Sequence, residues 1–221
     1  MTSPSPKRSG RRAQKRLETE RLIRATALEL FAERGFEATT TKQIADAAGV
    51  AHGTVFLVAA TKEALLVKVL EVELREVVAG RARRLPARDI QAQLLHVFGG
   101  LFDFYAREPQ LSRVFLKSIM FFGESIAKAQ YDEHVAHFAA YLASLFEAAI
   151  ERGELAPGTD SQVAASNVLA LYLLHTLSFL NDAERSRRRL GARFRAGLDA
   201  LLRGLRAPAP AVPRPGRKRA R

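Results

Sequence analysis

The chain has 221 residues, with 35 Lys and Arg against 23 Asp and Glu, no cysteine, and a formal net charge of +12. Its length suits one compact domain or a small domain joined to a larger one. The absence of cysteine excludes a disulfide framework and a thiolate nucleophile, and together with a polar, basic N-terminus lacking an apolar h-region it points to the cytoplasm. The charge is uneven: Lys7, Arg8, Arg11, Arg12, Lys15 and Arg16 give residues 1–17 a charge of +6, residues 207–221 carry +5, and the body between them is +1. Two cationic tails on a near-neutral body attract polyanions, nucleic acid first.

Residues 1–13 are Ser, Pro, Gly and Arg without apolar periodicity and are expected to be a disordered basic arm. A first helix is expected from about Gln14 to Arg34, with Ile23, Ala27, Leu30 and Phe31 on one face and Gly35 supplying its left-handed end. Thr40 and Gln43 have capping-box spacing and start a short helix that Gly49 closes. Residues 50–58 form the next short helix, and Thr61 caps a long one to about Gly80, with Leu66, Val69, Leu70, Leu74 and Val77 inward. The pattern breaks over Arg81–Arg88, which contains Pro86.

A second helical block follows. Leu94, Leu95, Phe98, Leu101, Phe102 and Tyr105 form one stripe, within which Gly99-Gly100 is expected to kink the helix and open space. Pro109 starts a short helix; Val135, Phe138, Leu142, Leu145, Phe146 and Ala149 mark a long one ended by Gly153. Asp160 or Thr159 caps a helix to Asn181, and Leu190, Phe194, Leu198, Leu201 and Leu205 define the last. Residues 163–180 carry no charge, a length at the lower edge of a membrane span. Ser166, Asn167, His175, Thr176 and Ser178 interrupt the run, so a helix buried between its own core and a partner subunit is the better reading, with no membrane. The Pro-rich basic tail at 207–221 is expected to be disordered.

Ile44-Ala45, Gly49-Val50 and Val55 have the spacing of a helix-turn-helix: a small residue where two helices cross, a glycine at the turn, and apolar anchors to the first helix. Residues 22–66 carry LELFAERGFEATT, QIADAAGV, HGTVF and TKEALL in order, and this run resembles the DNA-binding segment of the TetR family of bacterial regulators. The resemblance implies an all-α fold: a helix-turn-helix domain over 14–62, and a larger helical ligand-binding and dimerisation domain over 63–206. It also implies roles. Thr40 meets a phosphate, with Thr41 and Lys42 beside it; His52, Thr54 and Leu57 face the major groove with Phe56 adjoining; Gly53 lets the backbone approach; Lys62 contacts phosphate. The run departs from the family pattern at Phe56-Leu57-Val58-Ala59-Ala60, where hydroxyl and ring donors give way to apolar groups, and at Ala51, which cannot cap. The arm at 7–16 is expected to compensate electrostatically, at a minor groove.

Of the seventeen Phe and Tyr, eleven lie between Phe98 and Phe146, which suits an apolar pocket between helices. The candidates for its lining are His96, Phe98, Phe102, Tyr105, Phe138, Tyr141, Tyr172 and His175. His134 and His137 stand at i, i+3 and could chelate, but a pair is short of a ligand set, so no metal and no cofactor is expected. No Ser-His-Asp order or phosphate-cradling glycine loop stands out, so an enzyme is not expected. The expectation is a homodimeric repressor on double-stranded palindromic DNA, released by a small apolar effector; the alternative is a constitutively bound or DNA-compacting protein with no ligand.

Overall fold

The computed structural model describes residues 6–121, 126–182 and 186–206. Its regular elements are helices: α1 (Pro6–Arg34), α2 (Thr41–Ala47), α3 (His52–Val58), α4 (Lys62–Ala82), α5 (Ile90–Arg107), α6 (Pro109–Phe121), α7 (Ile126–Glu151), α8 (Ser161–Asn181) and α9 (Arg187–Leu205). The only strand-like feature among the described residues is one bridge, Leu155 to Arg206, which ties the end of α9 to the α7–α8 loop.

One expectation is overturned at the N-terminus. Residues 6–13 are helical, so the arm is not a disordered strand of charge but the first turns of α1; residues 1–5 lie outside the described residues. Proline at the first helical position has no N–H to lose and a φ already suited to a helix. Lys, Arg, Ala and Gln follow, all good helix formers, and the packed stretch Ile23, Ala27, Leu30 and Phe31 supplies the nucleus that such a run needs only to extend. At ~1.5 Å per residue this helix is about 44 Å long. The basic tail at 207–221 lies outside the described residues.

α1, α2 and α3 pack on each other and on the start of α4 through Ile23, Phe31, Ile44, Ala45, Val55, Leu65 and Leu66, all essentially inaccessible. α4 leaves this unit and runs on against α5, α6 and α7, making it the structural bridge between the two halves. Its caps follow from the sequence: Thr61 accepts from Ala64 N–H at 3.0 Å, Asp89 from Ala92 at 2.8 Å at the head of α5, and Asp160 from both Gln162 and Val163 at 3.0 Å at the head of α8.

Gly99-Gly100 does not open a gap. α5 is continuous there, and a Cβ on Gly100 would stand 2.5 Å from Arg81 Nε. The glycines let two arginines lie across the helix, where Asp103 takes Arg81 at 3.3 Å and Arg187 at 2.8 Å, joining α4, α5 and α9. α8 buries Ala164, Ala165, Val168, Thr176, Phe179 and Leu180, while Val163, Leu173 and Leu174 stand exposed on another face. By length and composition this helix could cross a membrane.

Candidate nucleic-acid interface and ligand cavity

The turn between α2 and α3 is built from local chemistry. Thr40, extended at φ −111°, closes a capping box: Gln43 N–H donates to its hydroxyl at 3.2 Å, and its own N–H donates to Gln43 Oε1 at 2.8 Å. Gly49 sits at φ +64°, a conformation that L side chains adopt only at a cost of about 1–2 kcal/mol. The reversal brings Val50 N–H to Ala45 O at 3.0 Å, and Ala45 is small enough for the helices to meet. The Thr41 hydroxyl stands 3.0 Å from His52 Nε2, and the His52 ring meets Phe56 edge-on at 5.0 Å. Lys42, His52, Gly53, Phe56 and Leu57 are exposed and Thr54 is half-buried; Leu57 is 86% exposed, so this helix offers a mostly apolar surface to its surroundings.

α3 lacks a side-chain cap at Ala51, yet its far end is fastened. Lys68 on α4 donates to Val58 O at 2.9 Å and lies 3.5 Å from Glu20 on α1. Such a bond satisfies one of the carbonyls that every helix end leaves open. Lys62 works similarly one level earlier. Its ammonium donates to Phe36 O at 2.8 Å and Glu37 O at 3.4 Å, and stands 4.2 Å over the Phe36 ring. Thr39, fully buried, bonds Leu30 O and Gly35 O and holds the entry to α2 against the end of α1.

In the second half, α4, α5, α7 and α8 enclose a cavity of about 490 Å³. Leu74, Val78, Leu101, Val135, Phe138, Leu169 and Leu173 supply its apolar wall. Its polar groups gather from three helices. Glu71, buried on α4, places Oε1 2.6 Å from His134 Nδ1, while Arg75 one turn on donates to His134 Nε2 at 3.2 Å. An arginine can only donate, so Nε2 accepts and the ring proton belongs on Nδ1, facing the carboxylate. Tyr172 and Tyr105 hydroxyls are 3.0 Å apart. Burial raises the pKa of both, and burial followed by the neighbouring charges of Asp132 and Glu71 pushes Tyr131 up to about 12. A second, open groove of about 660 Å³ runs between α5 and α9; Arg187 in it is already engaged by Asp103 and by Gly99 O at 3.0 Å.

Residues 23–69 match the family model described as bacterial regulatory proteins, tetR family. The chain carries a TetR-family DNA-binding domain. Beyond it the fold is of the TetR type throughout. The structure is similar to FadR of Thermus thermophilus, a TetR-family transcriptional repressor in complex with lauroyl-CoA, at TM-score 0.68 and 26% identity over 89% of this chain and 99% of that one. It shares its fold with FadR of Bacillus subtilis in complex with stearoyl-CoA, at TM-score 0.66 and 20% identity over 83% and 98% of the two chains. The fatty acid degradation regulator FadR of Bacillus halodurans also shares it, at TM-score 0.65 and 21% identity over 84% and 98%. No curated protein matches this chain in sequence.

Within this TetR-type frame the DNA-facing residues named from the sequence gather around α2 and α3, with one difference. Lys62, expected at a phosphate, spends its hydrogen bonds on the carbonyls of the α1–α2 loop; its three donors can be shared, but its position is that of a tie inside the domain. Of the basic arm, Arg11, Arg12, Lys15 and Arg16 are exposed along helical α1, and a helix about 10–12 Å across does not enter a minor groove about 6 Å wide. Lys7 and Arg8 fall within α1, their side chains outside the described residues.

The cavity corrects four of the eight lining candidates. Tyr105, Phe138, Tyr141 and Tyr172 line it; His96, Phe98, Phe102 and His175 do not. His96 Nε2 faces Arg81 O at 3.2 Å, on the other side of α5. Phe98 and Phe102 pack with Phe194 at 5.0 and 5.1 Å as core. His175 meets Phe194 edge-on at 6.4 Å toward α9, its pKa lowered by burial and then by Arg193. The stripe on α5 has two buried sides, and periodicity cannot say which faces a void. Sequence reasoning missed Glu71 and Arg75 altogether, and considered His134 and His137 only for metal; among the described residues no group of three or more His, Asp and Glu could hold an ion. A polar residue inside the inward face of α4, Glu71 beside Leu70 and Leu74, was the available signal.

Proposed function

We propose that this TetR-family transcriptional regulator is a cytoplasmic, homodimeric repressor that holds an inverted-repeat operator through α3 and releases it when an acyl-type ligand fills the cavity between α4, α5, α7 and α8. The observation that carries this reading is the cavity's position on α4. Glu71 and Arg75 in its wall lie one and two turns beyond Lys68, the residue that fastens α3. A ligand that favours a different placement of α4 therefore changes the placement of the recognition helix, by shifting the population between two arrangements. The mostly apolar wall suits an alkyl chain, each buried methylene adding about 0.8 kcal/mol. The lauroyl-CoA complex of the Thermus thermophilus relative supports that class.

Dimerisation follows from the exposed row Val163, Leu173 and Leu174 on α8, which a second copy would cover. Two recognition helices in a two-fold dimer meet half-sites about 34 Å apart or a little more. His52 and Thr54 would read base edges, and Leu57 and Phe56 would touch thymine methyl groups. Lys42 and the exposed arginines of α1 would take phosphates flanking the site, beside Thr40 and Thr41.

The test is selection of bound duplexes from a random pool, followed by fluorescence anisotropy on the winning sequence. An inverted repeat should emerge, lauroyl-CoA should release it, and free CoA should not. Binding without sequence preference that persists with every ligand would establish the constitutive, compacting alternative instead. Sedimentation should give twice the 24.4 kDa chain mass; a monomer at micromolar concentration would sink the two-fold model.

A further inference from the structure

We propose that Tyr105 and Tyr172 form a hydrogen-bond donor site inside the cavity for one neutral carbonyl oxygen of the ligand, such as the carbonyl of an acyl thioester. This rests on the acyl reading above and deepens it. The argument is a count of protons. The two hydroxyls face each other at 3.0 Å and carry one proton each. The bond between them uses one. The other has no acceptor in the protein among the described residues, although Tyr105 is 1% exposed and both residues line the void. A buried donor without a partner is costly, and native interiors rarely keep one. Tyr141, on the same wall, has a second buried hydroxyl with no partner among the described residues.

The site's character selects the acceptor. Burial raises the pKa of both phenols of the pair, so they remain neutral donors. The cation in the cavity wall, Arg75, is bonded to His134, whose other nitrogen lies against the Glu71 carboxylate. An ionised oxygen at the tyrosine pair would therefore be buried without a free countercharge, whereas a carbonyl needs only a donor. The surroundings of the pair are otherwise aromatic: Tyr172 meets the rings of Phe98 and Phe102 at 5.1 and 5.7 Å. An alkyl chain alone would leave the hydroxyl proton unmet, so the ligand gains selectivity from one oxygen at this point. Sites built to bond an oxygen reject analogues lacking it more strongly than apolar pockets reject a missing methylene.

The experiment compares lauroyl-CoA with S-dodecyl-CoA, the thioether in which a methylene replaces the carbonyl while chain and head stay the same. Calorimetry on the full-length protein should show the thioester binding about tenfold more tightly. Tyr105→Phe or Tyr172→Phe alone leaves one hydroxyl to donate and keeps part of that preference. Tyr105→Phe with Tyr172→Phe should bring the ratio to about one, while operator binding without ligand is retained as the sign of an intact fold. Equal binding of the two ligands by the wild-type protein, a comparison that needs no variant, would overturn the carbonyl site and leave the acyl reading standing. A full preference in the double variant would do the same. Binding of neither ligand would overturn the acyl reading and this site with it.

Discussion

Replacing Lys62 with methionine separates two roles for the residue that opens α4. Methionine keeps an apolar stem of similar length and removes the ammonium. In the structure that ammonium makes a 2.8 Å bond to Phe36 O, a longer one at 3.4 Å to Glu37 O, and stands 4.2 Å above the Phe36 ring. A hydrogen bond from a charged donor contributes about 1.5–3 kcal/mol, and a partly exposed cation over a ring about 0.5–1 kcal/mol. Lys62 is half-buried, so solvation of the ammonium in the unfolded chain offsets part of this, leaving about 2 kcal/mol. For a chain of this size that lowers Tm by about 4–8 °C, measured by calorimetry at one fixed protomer concentration because a dimer's stability depends on it. The second readout is the slope of log affinity against log salt for operator DNA. If each subunit's Lys62 neutralised a phosphate, the substitution would flatten that slope by ~0.9 per phosphate, ~1.8 for the dimer; a tie within the domain leaves it unchanged. A flattened slope with an unmoved Tm would refute the structural assignment of Lys62 and restore it to the phosphate backbone.

Further outcomes follow from the same geometry. Burial raises the pKa of all four tyrosines, Tyr105, Tyr131, Tyr141 and Tyr172, above the ordinary value of 10.0. The unfolded chain then releases protons first, so stability is full below about pH 10 and falls as pH rises through it; ultraviolet titration should show phenolate appearing together with loss of helix, and a folded protein titrating normally near pH 10 would contradict the burial. Deleting residues 1–16 removes six positive charges per chain and should flatten the salt dependence of operator binding; an unchanged slope would place the head of α1 away from DNA. Substituting deoxyuridine for thymine in the selected operator should weaken binding by wild-type protein at the positions Leu57 touches, and Leu57→Ala should abolish that sensitivity. Wild-type binding indifferent to every methyl group would remove Leu57 from the groove.

The DNA-binding unit was legible because its determinants are neighbours in the chain. Thr40 and Gln43 are three residues apart, Gly49 acts through its own backbone, and Ala45 and Val55 are placed by helical spacing alone. Composition misled at the N-terminus: residues 6–13 look like a disordered arm, but helix extension depends on the nucleus that follows, and the packed face from Ile23 to Phe31 provides one.

By itself the sequence determined an all-helical chain, the place of the helix-turn-helix and its caps, and an aromatic-rich second half. Tertiary structure alone decided what long side chains and buried rings do. Lys62 reaches carbonyls 25 and 26 residues away, and Lys68 one 10 residues away, through flexible stems whose partner depends on how α1, α3 and α4 pack. Tyr105 and Tyr172 meet across 67 residues, and Phe98 and Phe102 belong to the core rather than the cavity, because α5 is buried on two sides. Periodicity states that a face is buried; what buries it, a neighbouring helix or a void that a ligand can fill, is set only by how closely the helices around it approach.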